Sequence, residues 1–157
     1  MTQRDIEARV HHAAELFAER GYNCAQAVCG ALADLYGMDE ETALRVSAGF
    51  GGGMGRMHLT CGACSAMVVL AGLKNGQTEA GDNAQKMKNY ALVRRVAEDF
   101  RRENGSLICS ELLQLRQKQP LRIPDNAPDA EWYRSKPCLH MVASAVRIYC
   151  NAMGEES

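Results

Sequence analysis

The stretch GGGMGRMHLTCGACSAMVVLAGL, from Gly51 to Leu73, sets a glycine run directly before a Cys-x-x-Cys pair, Cys61 and Cys64. The pair opens an apolar segment that reads as a helix, with Thr60 as its natural N-cap and its end near Gly76. A Cys-x-x-Cys at a helix start leaves several chemistries open. It can be a dithiol redox couple, half of a zinc site, a haem attachment point, a corner of an iron–sulfur cluster, or two buried thiols with no chemistry.

Helix signals continue on both sides of that stretch. Thr2 with Asp5 caps a first helix whose apolar stripe is Ile6, Val10, Ala13 and Phe17, ended by Gly21. Asn23 with Gln26 forms a second capping box, opening a helix that runs through Leu32 and Leu35 to Gly37. A short helix follows Asp39, with acidic residues in the first turn, where the helix dipole favours them. Downstream, the pattern from Asp82 to Asn104 predicts a long surface helix burying Met87, Tyr90, Val93, Ala97 and Phe100, stopped by Gly105. Ser106 can cap another helix, LICSELLQL. Pro120, Pro124 and Pro128 mark an irregular crossing, and Pro137 precedes a last helix from about Cys138 to Met153. No alternating strand pattern and no repeat occurs. The expectation is one all-α domain spanning 1–157, with six to seven helices and one long proline-bearing loop.

Bulk properties narrow the function classes. A formal net charge of −1 argues against nucleic-acid or anionic-membrane binding, both of which need a basic surplus. The N-terminal MTQRDIEARV has no apolar signal-peptide core. The longest apolar stretch, Ala63 to Leu73, falls short of the roughly 20 residues of a membrane span. The expected setting is the cytoplasm, without membrane insertion. Seven cysteines among 157 residues are too few and too odd in number for a disulfide scaffold. In a reducing compartment they point instead to metal, cluster or redox chemistry.

The cysteines divide by position. Cys24, Cys61, Cys109 and Cys138 each fall at the start of a different predicted helix. Unpaired N–H groups and the positive dipole end at a helix start stabilise a thiolate, so lowered thiol pKa values are expected there. If the four starts converge, they present four sulfurs to one point, a way to hold a metal ion or an iron–sulfur cluster. Cys29 lies about 140° around the helix from Cys24, and Cys150 about 18 Å along the helix from Cys138, so both read as core thiols. Cys64, three residues after Cys61, faces nearly the same way and is a candidate partner.

Four segments carry a resemblance. GYNCAQAV (Gly21–Val28), SAGFGGGMGRMHLTCGACSAMVVLAGLKNG (Ser47–Gly76), GSLICSELL (Gly105–Leu113) and KPCLHMVASAV (Lys136–Val146) follow in order over most of the chain. They resemble a redox-active protein family named for its Cys…CGAxxG…Cys…Cys pattern, which includes relatives of split-Soret cytochrome c. The resemblance implies a helical, homodimeric redox protein whose signature cysteines fall on Cys24, Cys61, Cys109 and Cys138. In the split-Soret branch it further implies an iron–sulfur centre beside covalent haem. Covalent c-type haem needs Cys-x-x-Cys-His, but Ser65 follows Cys64 and no other such motif occurs, so attached haem is not expected. Ala66 stands where the pattern has its last glycine, and Cys64 is an extra thiol within it.

The remaining features are less specific. The run Gly49 to Gly55 follows a helix and matches neither G-x-G-x-x-G nor a Walker A motif, so it reads as close backbone passage near Cys61. Arg56 and His58 stand ready to stabilise negative charge there, or are ordinary loop residues. His140 lies two residues from Cys138, on the opposite face of a regular helix, and His11 and His12 read as solvated. Three functions stay open. The first is an electron-transfer protein, working with a redox partner, that binds a cluster or other metal through the four cysteines. The second is metal-free thiol exchange, with Cys61 attacking and Cys64 resolving. The third is a helical accessory module with a structural zinc. Wide ligand spacings of 37, 48 and 29 residues suit a site between preformed helices better than zinc knuckles.

Overall fold

Both capping boxes form. Thr2 Oγ1 accepts from the Asp5 N–H while the Asp5 carboxylate accepts from the Thr2 N–H, and Asn23 and Gln26 make the same reciprocal pair. The computed structural model describes residues 1–117 and 138–155. Among these, seven α-helices form an all-α fold: α1 (Gln3–Ala14), α2 (Cys24–Leu32), α3 (Glu40–Ser47), α4 (Gly62–Asn75), α5 (Asn83–Asn104), α6 (Cys109–Gln117) and α7 (Cys138–Glu155). The prolines Pro120, Pro124, Pro128 and Pro137 lie outside the described residues.

The small, apolar helix α2 occupies the centre. It packs against α1, α3, α4 and α7, and α5 closes the far side against α4 and α7. Ala25, Ala27, Val28, Cys29, Ala31 and Leu32 of α2 are all buried, as expected for a helix apolar on every face. Around it Leu16, Met67, Leu70, Phe100, Leu112 and Tyr149 complete one continuous core. Each such large side chain contributes about 1.5–3 kcal/mol on burial.

Three boundaries differ from the sequence reading. The first helix widens into a π-turn over Glu15–Glu19, with Arg20 N–H donating to the Glu15 carbonyl five residues back. The second ends its α-geometry at Leu32 and tightens to a 3₁₀ turn, Ala33–Tyr36, before Gly37 at φ 74°. Thr60 does not cap α4; Cys61 takes the N-cap position and Thr60 pairs instead with Ile108 in an isolated antiparallel bridge.

The buried face of α5 is also rotated from the expected one. Leu92, Val96, Phe100 and Asn104 are buried, whereas Met87 is 49% and Tyr90 45% exposed. Polar residues decide this. Gln85 Nε2 donates to the Asn75 carbonyl at 2.7 Å, and Asn89 Nδ2 donates to the Ala71 carbonyl at 3.0 Å and to Asn75 Oδ1 at 2.9 Å. This amide seam fastens the first half of α5 to the end of α4, leaving the nearby apolar side chains in solvent.

Candidate functional site

The four helix-start cysteines line one cavity of about 390 Å³. Cys24 is the first residue of α2, behind the Asn23 cap. Cys61 is the N-cap of α4, and Cys109 and Cys138 are the first residues of α6 and α7. Cys61, Cys109 and Cys138 are buried, and Cys24 is the more open of the four.

A short piece of extended backbone fixes two of them. Cys61 N–H donates to the Leu107 carbonyl at 2.7 Å, and Cys109 N–H donates to the Leu59 carbonyl at 2.5 Å, on either side of the Thr60–Ile108 bridge. In an antiparallel pair this places Cys61 and Cys109 on one face as diagonal neighbours, about 7–8 Å apart. That backbone spacing is wider than disulfide geometry accepts. Among the described residues no group of three or more His, Cys, Asp or Glu side chains is arranged to hold a metal ion. Four cysteine sulfurs are the donor type that both iron–sulfur clusters and structural zinc sites take.

The glycine run forms the cavity's other wall. Gly52, Gly53, Met54, Gly55, Arg56 and His58 all have positive φ, between 54° and 70°. Long-range turns close this left-handed loop, such as Gly55 N–H to the Gly49 carbonyl at 2.8 Å and Leu59 N–H to the Gly53 carbonyl at 3.0 Å. The three non-glycine residues are strained, at about 1–3 kcal/mol each, so surrounding contacts must hold the loop in place. At Gly53 a β-carbon would stand 2.7 Å from Cys109 Cβ; at Gly62 it would stand 2.7 Å from Cys24 Sγ. The expected close passage of backbone is therefore real, but Gly53 of the run lies against Cys109, and the contact with Cys24 is made by Gly62 of α4.

The expectation of lowered thiol pKa values is corrected. Burial pushes the Cys24 thiol up, against N–H groups of Gly52, Ala25 and Ala63 that donate to its sulfur and pull it down. Burial raises Cys61 well above the ordinary thiol value, and the neighbouring Cys24 and Cys109 sulfurs add to the rise against the N–H groups of Cys64 and Ala63. Burial and then Cys24 lift Cys109 to about 12, and Cys138 rises well above its ordinary value by burial and repulsion from the other three. The helix-start N–H groups do act as expected, but removal from water outweighs them. A thiolate at Cys61 therefore has no low-pKa environment in the cofactor-free chain. The proposed resolving thiol, Cys64, is buried, is raised to about 11 by burial, and does not line the cavity.

The other sequence candidates separate clearly. Cys29 and Cys150 are buried core thiols away from the cavity. Arg56 lines the cavity, whereas His58 does not; among the described residues its Nε2 is buried without a hydrogen-bond partner. His140 is exposed on α7, His11 is exposed, and His12 faces Glu40 at 3.5 Å. Sequence reading missed the Thr60–Ile108 bridge and the contributions of Phe17, Tyr22 and Met141 to the wall. Two residues of extended backbone give no periodic signal, and Phe17 reads as an ordinary core residue of its helix.

Fold and site together define a small all-α protein whose helix starts enclose a buried four-cysteine cavity. The chain belongs to the family described as "Putative redox-active protein (C_GCAxxG_C_C)", whose family model matches residues 22–152. No curated protein and no solved structure matches the chain. Among the described residues no helix is long and apolar enough to cross a membrane.

Proposed function

We propose that the protein is an electron-transfer or redox protein that holds an iron–sulfur cluster through Cys24, Cys61, Cys109 and Cys138. The observation that carries this reading is the meeting of four cysteines from four helices on one cavity, two of them on the same face of the Thr60–Ile108 bridge. When bound, the cluster supplies one-electron chemistry at a potential set by hydrogen bonds and burial. The chain's own residues hold the sulfurs and bring N–H groups to them, and the surrounding core keeps water out. Four thiolates could not share this space unaided, because Cys24 raises the other three and Cys61 and Cys109 raise Cys138 as well; a cationic iron centre offsets that repulsion.

This reading includes exchange of electrons with a redox partner protein, a homodimeric state and a cytoplasmic setting, as the resemblance and composition suggest. Zinc is the rival ligand, and the wide spacing of the four cysteines along the chain favours a cluster over a zinc site built from Cys-x-x-Cys knuckles. Thiol exchange at Cys61 and Cys64 lacks a low-pKa thiol. The test is serine replacement at each cysteine with iron and acid-labile sulfide counted per chain. Loss in the Cys24, Cys61, Cys109 and Cys138 variants, with retention in Cys64→Ser, supports the assignment. Retention in any of the four removes that residue from the ligand set.

A further inference from the structure

We infer that Gly52 is a positioning residue for the proposed cluster: the glycine loop holds its amide N–H against the Cys24 sulfur, and that contact raises the reduction potential of the site. The inference rests on the cluster reading and names one device by which the chain tunes it.

The four sulfurs are not served alike. Cys24 takes N–H bonds from Ala25 on its own helix, from Ala63 at the start of α4, and from Gly52 in the loop. Cys61 takes them from Ala63 and Cys64, both on α4. At Cys109 and Cys138 burial and the neighbouring sulfurs dominate. Free amides in the first turn come with any helix start. The Gly52 amide belongs to a loop, so the chain has to carry it to the sulfur.

The loop is seated on the start of α2 for that purpose. Asn23, the N-cap directly before Cys24, donates from Nδ2 to the Ala48 carbonyl at 3.0 Å. A β-carbon on Gly51 would overlap Asn23 Cγ and Nδ2, so only glycine lets the backbone lie flat on that cap. Gly52 follows at φ 64°, and its carbonyl accepts the His58 N–H at 3.0 Å. A β-carbon on Gly52 would stand 2.9 Å from Arg56 Cα, which is backbone and cannot swing away. Gly51 therefore sets the loop against α2, and Gly52 turns its N–H inward. The strained backbone at Met54, Arg56 and His58 is what this seating requires.

The sign of the effect follows from charge. An N–H bond to sulfur strengthens as the sulfur becomes more negative. One electron, supplied by the redox partner protein of the cluster reading, adds negative charge at the sulfurs; no proton moves and no bond to sulfur breaks. The Gly52 contact thus favours the reduced state over the oxidised one.

The experiment is redox potentiometry of anaerobically purified wild type, Gly52→Ala and Gly49→Ala, with iron and sulfide assayed on the same samples. A β-carbon at Gly49 meets nothing within 4 Å, so that variant controls for a methyl added to the same run. Gly52→Ala is expected to shift the potential below wild type, and Gly49→Ala to leave it in place. An unchanged or raised potential in Gly52→Ala, or an equal fall in both variants, overturns the inference. Wild type grown on 15N-glycine gives a second reading that holds even if Gly52→Ala fails to fold. Pulsed EPR of its paramagnetic state should detect a glycine nitrogen coupled to the centre, and absence of that coupling overturns the inference. Iron and sulfide with a potential indifferent to Gly52→Ala remove this inference alone; protein without iron and sulfide removes the cluster reading and this inference with it.

Discussion

At Gly62 a β-carbon would meet Cys24 Sγ and the Phe50 carbonyl oxygen, each at 2.7 Å. The first is the side chain of a proposed ligand and the second is backbone, so neither can yield without moving the site. Gly62→Ala is expected to cost about 1–3 kcal/mol of stability, as overpacking does, and to lower iron per chain. Urea unfolding and metal analysis check both, and unchanged iron content would mean that close approach of α4 to Cys24 is not needed. The buried thiols give a second expectation at this scale. Their folded-state pKa values lie above the ordinary thiol value of 9.0, with Cys64 and Cys150 at about 11 and Cys109 at about 12. Above pH 9 the unfolded chain therefore releases protons that the folded chain keeps, and stability falls as pH rises. Below pH 9 these thiols are protonated in both states and add no pH dependence. Cofactor-free protein should lose stability progressively from about pH 9 to 12 in urea titrations. A flat profile over that range would show that these thiols are hydrated.

At the scale of elements, α5 and the Thr60–Ile108 bridge show what a sequence can and cannot convey. The caps at Thr2 and Asn23 were legible, because each cap bond lies within three residues of sequence, and Asp39 and Asp82 cap α3 and α5 by the same short bond. The buried face of α5 was legible only in its second half, where Phe100 is buried and Val93 and Ala97 pack on the core as expected. Met87 and Tyr90 look like core by hydropathy, and only the carbonyls at the end of α4 reveal why Gln85 and Asn89 face inward instead. Asn89→Ala should therefore destabilise the protein by about 1–2 kcal/mol, through loss of two part-buried hydrogen bonds. Tyr90→Ala should change stability by less than about 0.5 kcal/mol, as exposed positions do. Chemical denaturation of the two variants decides between the faces, and the reverse order would restore the face read from hydropathy. The bridge escaped for a different reason. It joins residues 48 apart and involves no strand long enough to alternate.

Across the whole molecule, the four-cysteine grouping was legible because each cysteine falls at a helix start marked in the chain, although Thr60 beside Cys61 is not itself the cap. What the sequence could not convey was convergence, since nothing local dictates that the starts of α2, α4, α6 and α7 point into one space. The packing of α2 at the centre, with α4 and α7 against it, brings them together. Nor could helix-start reasoning weigh burial against the N–H groups, and burial wins at every sulfur of the cavity. The Cys29 and Cys150 thiols, buried elsewhere, should be replaceable by serine or alanine with a stability cost but no loss of iron. The most direct measurement is a visible absorption spectrum of anaerobically purified protein, with iron, acid-labile sulfide and zinc determined on the same sample. A cluster on the four cysteines gives broad visible absorption with iron and sulfide in matching, stoichiometric amounts and little zinc. A colourless protein carrying zinc, or one that takes up neither iron nor sulfide on reconstitution, would contradict it.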